Sequence, residues 1–308
     1  MIKKYLHIIA VVVFLFSCYG LNAQVLPSLL LKHDAASLAM GATGVSAESG
    51  AYAIENNVAS IAFAEQKFNV QAGFGLWQPS YANLKTLGLA GMYRLSDKLG
   101  VAMEFKYLMM PSYSGITGTG ADIRDSEFKP SEFGMSVGLS YKLFDFLSAG
   151  LALRYAGSKL ASDADAGVFG SDLGLSFQKD SFSAGLSLNN LGTKVKYSET
   201  AYAQPMLVKF GAGYDLGLGE SDLLFTAQAD YLFAGGFMAG AGCEYSFKDM
   251  IFARAGYHYG DSTKTIPSYA SVGLGLKLFG VTLDAAYLVA GKSSPMKNTL
   301  SIGLGYRF

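Results

Sequence analysis

The final nine residues, Leu300-Ser301-Ile302-Gly303-Leu304-Gly305-Tyr306-Arg307-Phe308, decide the fold. Leu300, Ile302, Leu304, Tyr306 and Phe308 alternate with Ser301, Gly303, Gly305 and Arg307. A period of two is that of a strand, not a helix. One face is large and apolar and the other small or polar, as for a strand with lipid on one side and a lumen on the other.

The same alternation recurs upstream. Phe133, Met135, Val137, Leu139, Tyr141 and Leu143 alternate with Gly134, Ser136, Gly138, Ser140 and Lys142, and Val101, Met103, Phe105 and Tyr107 with Ala102, Glu104 and Lys106. The apolar faces carry almost no charge, which excludes soluble sandwich strands with a polar exterior. Strands are predicted over 66–76, 84–94, 98–109, 132–144, 146–156, 168–178, 181–190, 206–216, 222–233, 236–247, 250–259, 268–278, 281–290 and 298–308. Their number, about fourteen, is even, as for a single-chain barrel with both termini in the periplasm.

The connections follow the same rhythm. Links at 95–97, 145, 179–180, 217–221, 248–249 and 279–280 are short, whereas most of the others are longer, notably 110–131 and 191–205. Short periplasmic turns alternating with longer outer loops define this topology. The short link at Ala234-Gly235 breaks the pattern.

Glycine supplies 37 of 308 residues, well above the usual share of roughly 7%. Lysine plus arginine and aspartate plus glutamate each number 24, so the net charge is zero and no basic footprint for nucleic acid exists. Lys3-Lys4, an apolar run over 6–16 and Ala23 read as an export leader spanning 1–23. Cys18 after Leu15-Phe16-Ser17 weakly resembles a lipoprotein cleavage site, against which bulky Phe16 argues. Removal of the leader leaves Cys243 as the remaining cysteine, so no intrachain disulfide is expected. Residues 24–65 are Ala-rich, with helical patches around 34–40 and 51–57. They are too few to fold alone and are expected to pack as a plug inside a barrel of 66–308.

Catalytic chemistry has little support. His33 and His258 are isolated, and Gly41-Ala42-Thr43-Gly44 lacks both a preceding strand and a following Lys-Ser/Thr, so it reads as a turn in the plug. No enzyme, cofactor or metal is expected. The predicted inward charges, among them Glu104, Lys106, Arg154, Asp172, Arg254 and Asp284, mix both signs. They suit cross-strand ion pairs filling a lumen better than the single-sign ring of a selective pore. Inward glycines such as Gly73, Gly138, Gly174, Gly185, Gly211, Gly240 and Gly242 leave room for another backbone to approach. Tyr93, Tyr141, Tyr155, Tyr214, Tyr231, Tyr257 and Tyr287 near strand ends read as an interfacial girdle. Phe308, ending an alternating strand, resembles the signal read by the outer-membrane assembly machinery.

Two resemblances follow. Ala36-Ser-Leu-Ala-Met-Gly-Ala-Thr-Gly-Val45, then Asn57-Val-Ala-Ser-Ile61, resembles the plug of FadL-like barrels, whose Asn-Pro-Ala element corresponds here to Asn57 and Ala59 with Val58 in place of proline. Phe128-Lys-Pro-Ser-Glu-Phe133 and Ser148-Ala-Gly-Leu-Ala-Leu-Arg-Tyr155 are similar to the middle hairpin of the PorV/PorQ family of type IX secretion outer-membrane proteins. The resemblance implies an all-β, FadL-like transmembrane barrel in the outer membrane of a Gram-negative cell. It further implies partners: outer-membrane lipid, secreted cargo proteins and a surface attachment complex met at loops 111–131 and 191–205. The alternative is a FadL-like channel for hydrophobic small molecules, with Met110, Tyr113, Ile116 and Phe128 as an apolar contact set at the outer mouth.

Overall fold

The computed structural model describes residues 26–46, 50–117, 124–161, 164–197 and 199–308. The leader and Cys18 lie outside the described residues. Eighteen strands follow one another: β1 (Phe68–Trp77), β2 (Leu84–Arg94), β3 (Leu99–Met109), β4 (Tyr113–Thr117), β5 (Arg124–Phe128), β6 (Ser131–Phe144), β7 (Leu147–Ala161), β8 (Ala164–Lys179), β9 (Phe182–Gly192), β10 (Val195–Tyr197), β11 (Thr200–Tyr202), β12 (Leu207–Gly217), β13 (Ser221–Leu232), β14 (Gly236–Phe247), β15 (Ile251–Gly260), β16 (Tyr269–Leu278), β17 (Val281–Val289) and β18 (Leu300–Arg307). Fourteen close a barrel, while β4–β5 and β10–β11 form separate hairpins within the two long outer loops. Every barrel pairing is antiparallel between neighbours, including β13 with β14 across the short 233–235 link. Closure joins β1 to β18, from Asn69 opposite Arg307 to Leu76 opposite Leu300. Reciprocal backbone bonds between Phe68 and Phe308, at 2.9 and 3.0 Å, finish the seam.

The strand faces are inverted relative to a soluble protein. On β6, Met135, Val137, Leu139 and Tyr141 are about half exposed, while Ser136 and Ser140 between them are buried. Such a continuous outward apolar band is stable only against lipid. The molecule is therefore an outer-membrane barrel, crossing the bilayer with strands; none of the described helices is long and apolar enough to do so. At the periplasmic end, Lys248-Asp249 and Phe279-Gly280 each place two consecutive residues at positive φ, the conformation of tight turns that match strand twist. On the other side, β6, β7 and β8 run to 14, 15 and 16 residues. A tilted crossing needs about 9–11, so this part of the wall stands above the membrane.

The segment ahead of β1 fills the lumen. It contains two short helices, α1 (Ala35–Ala39) and α2 (Ala53–Asn56), and 3-10 turns at Pro27–Leu29 and Val58–Phe63. The Asp34 carboxylate caps α1 by accepting from the Ser37 amide at 2.8 Å. The turn at 41–44 has Gly41 at φ 72 and Ala42 at φ 62. Leu38, Val45, Tyr52, Ile54 and Ile61 are at most 2% exposed. The segment circles the inner wall so closely that a methyl on Gly73 would strike the His33 carbonyl, one on Gly185 the Val45 carbonyl, and one on Gly256 the backbone of Met40 and Gly41. Not every inward glycine serves this purpose, since Gly75 faces Thr86 of the wall.

Because the Val45 carbonyl is backbone and cannot rotate aside, Gly185→Ala is expected to cost about 1–3 kcal/mol, the price of overpacking a filled interior. The loss should fall on the plug. Limited proteolysis should cut within residues 26–64 faster, while the heat-modifiable mobility of the barrel stays unchanged.

Candidate functional site: lumen and outer mouth

The outer half of the lumen is an ion-paired core. Lys32 and Glu55 come from the plug, Glu104 and Lys106 from β3, Arg154 from β7, Asp172 from β8, Lys209 from β12 and Asp230 from β13. Four cations thus meet four carboxylates. The Lys106 ammonium lies 3.3 Å from Glu104 and 3.5 Å from Glu55. His33 Nδ1 is 2.9 Å from the same Glu55 carboxylate. Lys209 donates to the Glu55 carbonyl at 3.3 Å, and Lys32 to the Asn56 side chain. Burial alone would raise the Glu55 pKa, but Lys106, with His33 and Lys32, holds it below the usual carboxylate range. Broken pairs are costly in such surroundings, so the network fixes the plug's position rather than adding much net stability.

A second knot lies on the wall. Arg154 reaches both Asp172 and Asn190, and the Asn190 amide donates to Asp172 at 2.7 Å. Asn190 adopts φ 63 where the β8–β9 register slips between Ser171 and Leu173. A bulge re-aims a side chain in this way, and its Nδ2 donates to the Pro205 carbonyl at 2.7 Å, tying down the long 193–206 connection. Between these groups remains a cavity of about 40 Å³, room for about three waters.

Above the ions the mouth is sealed by hydrocarbon. Trp77, Leu108, Tyr269, Leu288 and Met296 are buried with Leu31, Leu38 and Ala39 of the plug, and Met110 packs against them. Leu207, Leu232 and Met238 extend the seal. The periplasmic half differs. A cavity of about 490 Å³ is lined there by Asp34, Thr226, Glu244, Arg254, Asp284 and Arg307 among others. Arg254 pairs with Glu244 and, at 2.6 Å, with Asp284. Burial, and then the Asp284 carboxylate, push Asp34 up to about 6.

The residues singled out from sequence are placed unevenly. Asn57 is a latch: its Nδ2 donates to Val45 O at 3.0 Å and Leu175 O at 2.9 Å, and its Oδ1 accepts from the Ala59 amide at 3.2 Å. The Ala59 carbonyl accepts from Ser148 Oγ at 2.7 Å. Tyr113 and Phe128 face each other in the β4–β5 ladder, as do Ile116 and Asp125, and the side chain of Ile116 lies outside the described ones. Tyr113 is 56% exposed, whereas Met110 turns inward to the seal. The described side chains of Met110 and Tyr113 thus have different surroundings, the seal and the exposed rim. Phe308 points outward, its ring 5.4 Å from that of Phe68. His33, isolated in sequence, joins Glu55 and Glu104 in a set with metal-ligand spacing, but the Lys106 ammonium already bridges both carboxylates. The seal itself escaped the sequence reading. Its signal was present, since Leu108, Leu232 and Leu288 continue the inward positions of Lys106, Asp230 and Asp284 at strand ends.

A family model described as "Type IX secretion system protein PorV" matches residues 21–229. No curated protein matches the sequence. Among solved structures, the Ralstonia pickettii toluene transporter TbuX is similar at a TM-score of 0.66 and 12% identity, over 89% of this chain and 98% of that one. The Pseudomonas putida toluene transporter TodX gives 0.62 and 14%, over 92% and 98%. A Pseudomonas aeruginosa FadL homologue gives 0.54 and 13%, over 94% and 100%. At such identities the likeness shows a shared FadL-like barrel.

Asp34→Asn keeps an acceptor for the α1 cap and removes a buried charge beside Asp284. A carboxyl raised from 3.8 to about 6 favours the folded state at low pH and loses that advantage as pH rises through this interval. Hydrogen exchange over residues 35–46 should therefore be slower in the variant than in the parent at pH near 8, with the difference shrinking below pH of about 4.

Proposed function

Since this chain belongs to the PorV family of type IX secretion outer-membrane proteins, we propose that it is a non-enzymatic barrel that binds exported proteins, or partner subunits of the secretion and surface-attachment machinery, through its outer face. The observation that carries this reading is the closed mouth. Hydrocarbon packing seals the outer end, and the ion-paired layer directly beneath it keeps about 40 Å³ of space. A rigid, stoppered cylinder suits docking better than conduction.

The surface available to a partner is raised and irregular. The long strands β6–β8 lift one side of the rim, and the hairpins β4–β5 and β10–β11 stand beside it. Tyr113 and Phe128 give this surface an aromatic edge, with the Lys159 ammonium 5.9 Å above the Phe128 ring. Aromatic side chains such as these are enriched in protein interfaces. Outer-membrane lipid surrounds the wall, and Phe308 at the closing seam is the element offered to the assembly machinery.

A second reading, uptake of hydrophobic small molecules, is favoured by the cavity of about 490 Å³ below the plug and by the apolar mouth. It requires the Trp77–Leu108–Met296 packing to open. Lipid extracted from the purified barrel, and lost on changing Met110 or Phe128 to Asp, would support it.

Replacing residues 113–128 by a short Gly-Ser link is expected to leave an assembled, heat-modifiable barrel but to release cargo that is normally surface-anchored. Affinity purification of the intact protein in mild detergent should recover secreted proteins sharing a C-terminal domain. Normal anchoring in a deletion strain, together with pull-downs free of cargo and partner subunits, would remove the proposal.

A further inference from the structure

The periplasmic vestibule carries more negative charge than its own cations cover. Six carboxylates, on Asp34, Glu65, Asp180, Asp215, Glu244 and Asp284, line it with two guanidinium groups, on Arg254 and Arg307. Arg254 is committed to Glu244 and Asp284, and Arg307 pairs with Asp249, which is not part of the lining. Asp34, Glu65, Asp180 and Asp215 take part in none of the ion pairs among the described residues. An acidic lining alone would be a solvated surface. The wall adds a feature that solvation does not explain. Thr282, two residues before Asp284 on the inward face of β17, is 8% exposed, and its hydroxyl makes no hydrogen bond among the described residues. It lines the vestibule beside Gly305, where the wall has no side chain. A buried hydroxyl left in this way is costly until a donor reaches it.

The volume of about 490 Å³ is that of a ligand pocket, typically about 300–1,000 Å³. A compact metal ion does not suit it: among the described residues, the set with metal-ligand spacing is His33, Glu55 and Glu104, none of which lines the vestibule. The four unpaired carboxylates stand instead on different elements, the α1 cap, the approach to β1, the β8–β9 turn and β12. Several positive charges joined by a flexible chain can reach groups so spread. The geometry points to a site in the periplasmic vestibule for a flexible organic cation with two or more ammonium groups, held by Glu65, Asp180 and Asp215, with the Thr282 hydroxyl accepting from one ammonium. A free polyamine or adjacent lysines of a periplasmic peptide carry such groups. Because the apolar seal and the ion-paired layer close the other end, the ligand enters and leaves on the periplasmic side. The site is independent of docking at the outer rim.

The test uses the intact barrel in mild detergent, with spermidine and tri-lysine as probes in titration calorimetry at low ionic strength, where charges are least screened. Saturable binding of one probe molecule per barrel is expected, and the probe that binds more tightly identifies the source of the ammonium groups. Glu65, Asp180 and Asp215 are exposed to the vestibule, so Glu65→Gln, Asp180→Asn and Asp215→Asn together should leave an assembled, heat-modifiable barrel. They should weaken binding by about tenfold or more, as loss of charge-assisted bonds does. Thr282→Val, uncharged and similar in shape, should weaken it about fivefold, and Thr282→Ser should bind as the parent does. A diffuse cloud of counterions would sense the first change but not the second. Where Thr282→Val fails to assemble, the triple variant and competition by Mg²⁺ decide. Uptake that does not saturate, equal affinity in the parent and either variant, or displacement by Mg²⁺ as effective as by tri-lysine at matched ionic strength would each overturn the proposal.

Discussion

In hydrocarbon, an unpaired backbone N–H or C=O has no water to turn to, so a sheet that crosses a bilayer must leave no edge. Everything else in this molecule follows from the meeting of β1 with β18. Closure fixes the register, and with it which residues face lipid. It also encloses a volume that must be filled or left to water. The Phe68–Phe308 backbone bonds and their adjacent rings show how this seam is made from the first and last residues of the barrel.

The enclosed volume is filled by the chain's own upstream segment, which has too little apolar surface to fold alone. It is held by complementary omissions and charges. Where the wall lacks side chains, at Gly73, Gly185 and Gly256, plug backbone approaches. Where the wall carries ions, Lys106 and Lys209 meet Glu55 and its carbonyl. A network of this type specifies position more than it stabilises. In the observed arrangement the plug brings Lys32 and Glu55 among the wall's three cations and three carboxylates, and a slipped one would strand buried charges.

The two ends of the lumen have different chemistry because strand ends carry different inward residues. On the outer side Leu108 and Leu288 turn inward and pack with Trp77 and Met296, and Leu232 packs beside them with Leu207 and Met238. On the periplasmic side Asp34, Glu244, Arg254 and Asp284 line an open vestibule. A solute path would have to break hydrocarbon packing and the ion network in series. The proposed docking surface, the rim with its raised β6–β8 wall, needs neither to move.

The sequence by itself determined the barrel. Period-two alternation with uncharged apolar faces, as in residues 300–308 and 133–143, leaves no reading other than strands between lipid and lumen, and fourteen such segments agree with the observed strands to within a few residues. It also located the plug, its helical patches and the inward glycines, because a missing side chain on a lumen face is visible in a string of letters. Tertiary structure alone decided who meets whom. His33 reads as isolated, yet lies beside Glu55 and Glu104; Met110 reads with Tyr113 and Phe128, yet turns inward to the seal; and the bulge that aims Asn190 at Arg154 has no local signature. Alternation is a local property set by backbone geometry, whereas the pairing of a plug residue with a wall residue some hundred positions away depends on closure, and closure is a property of the whole chain.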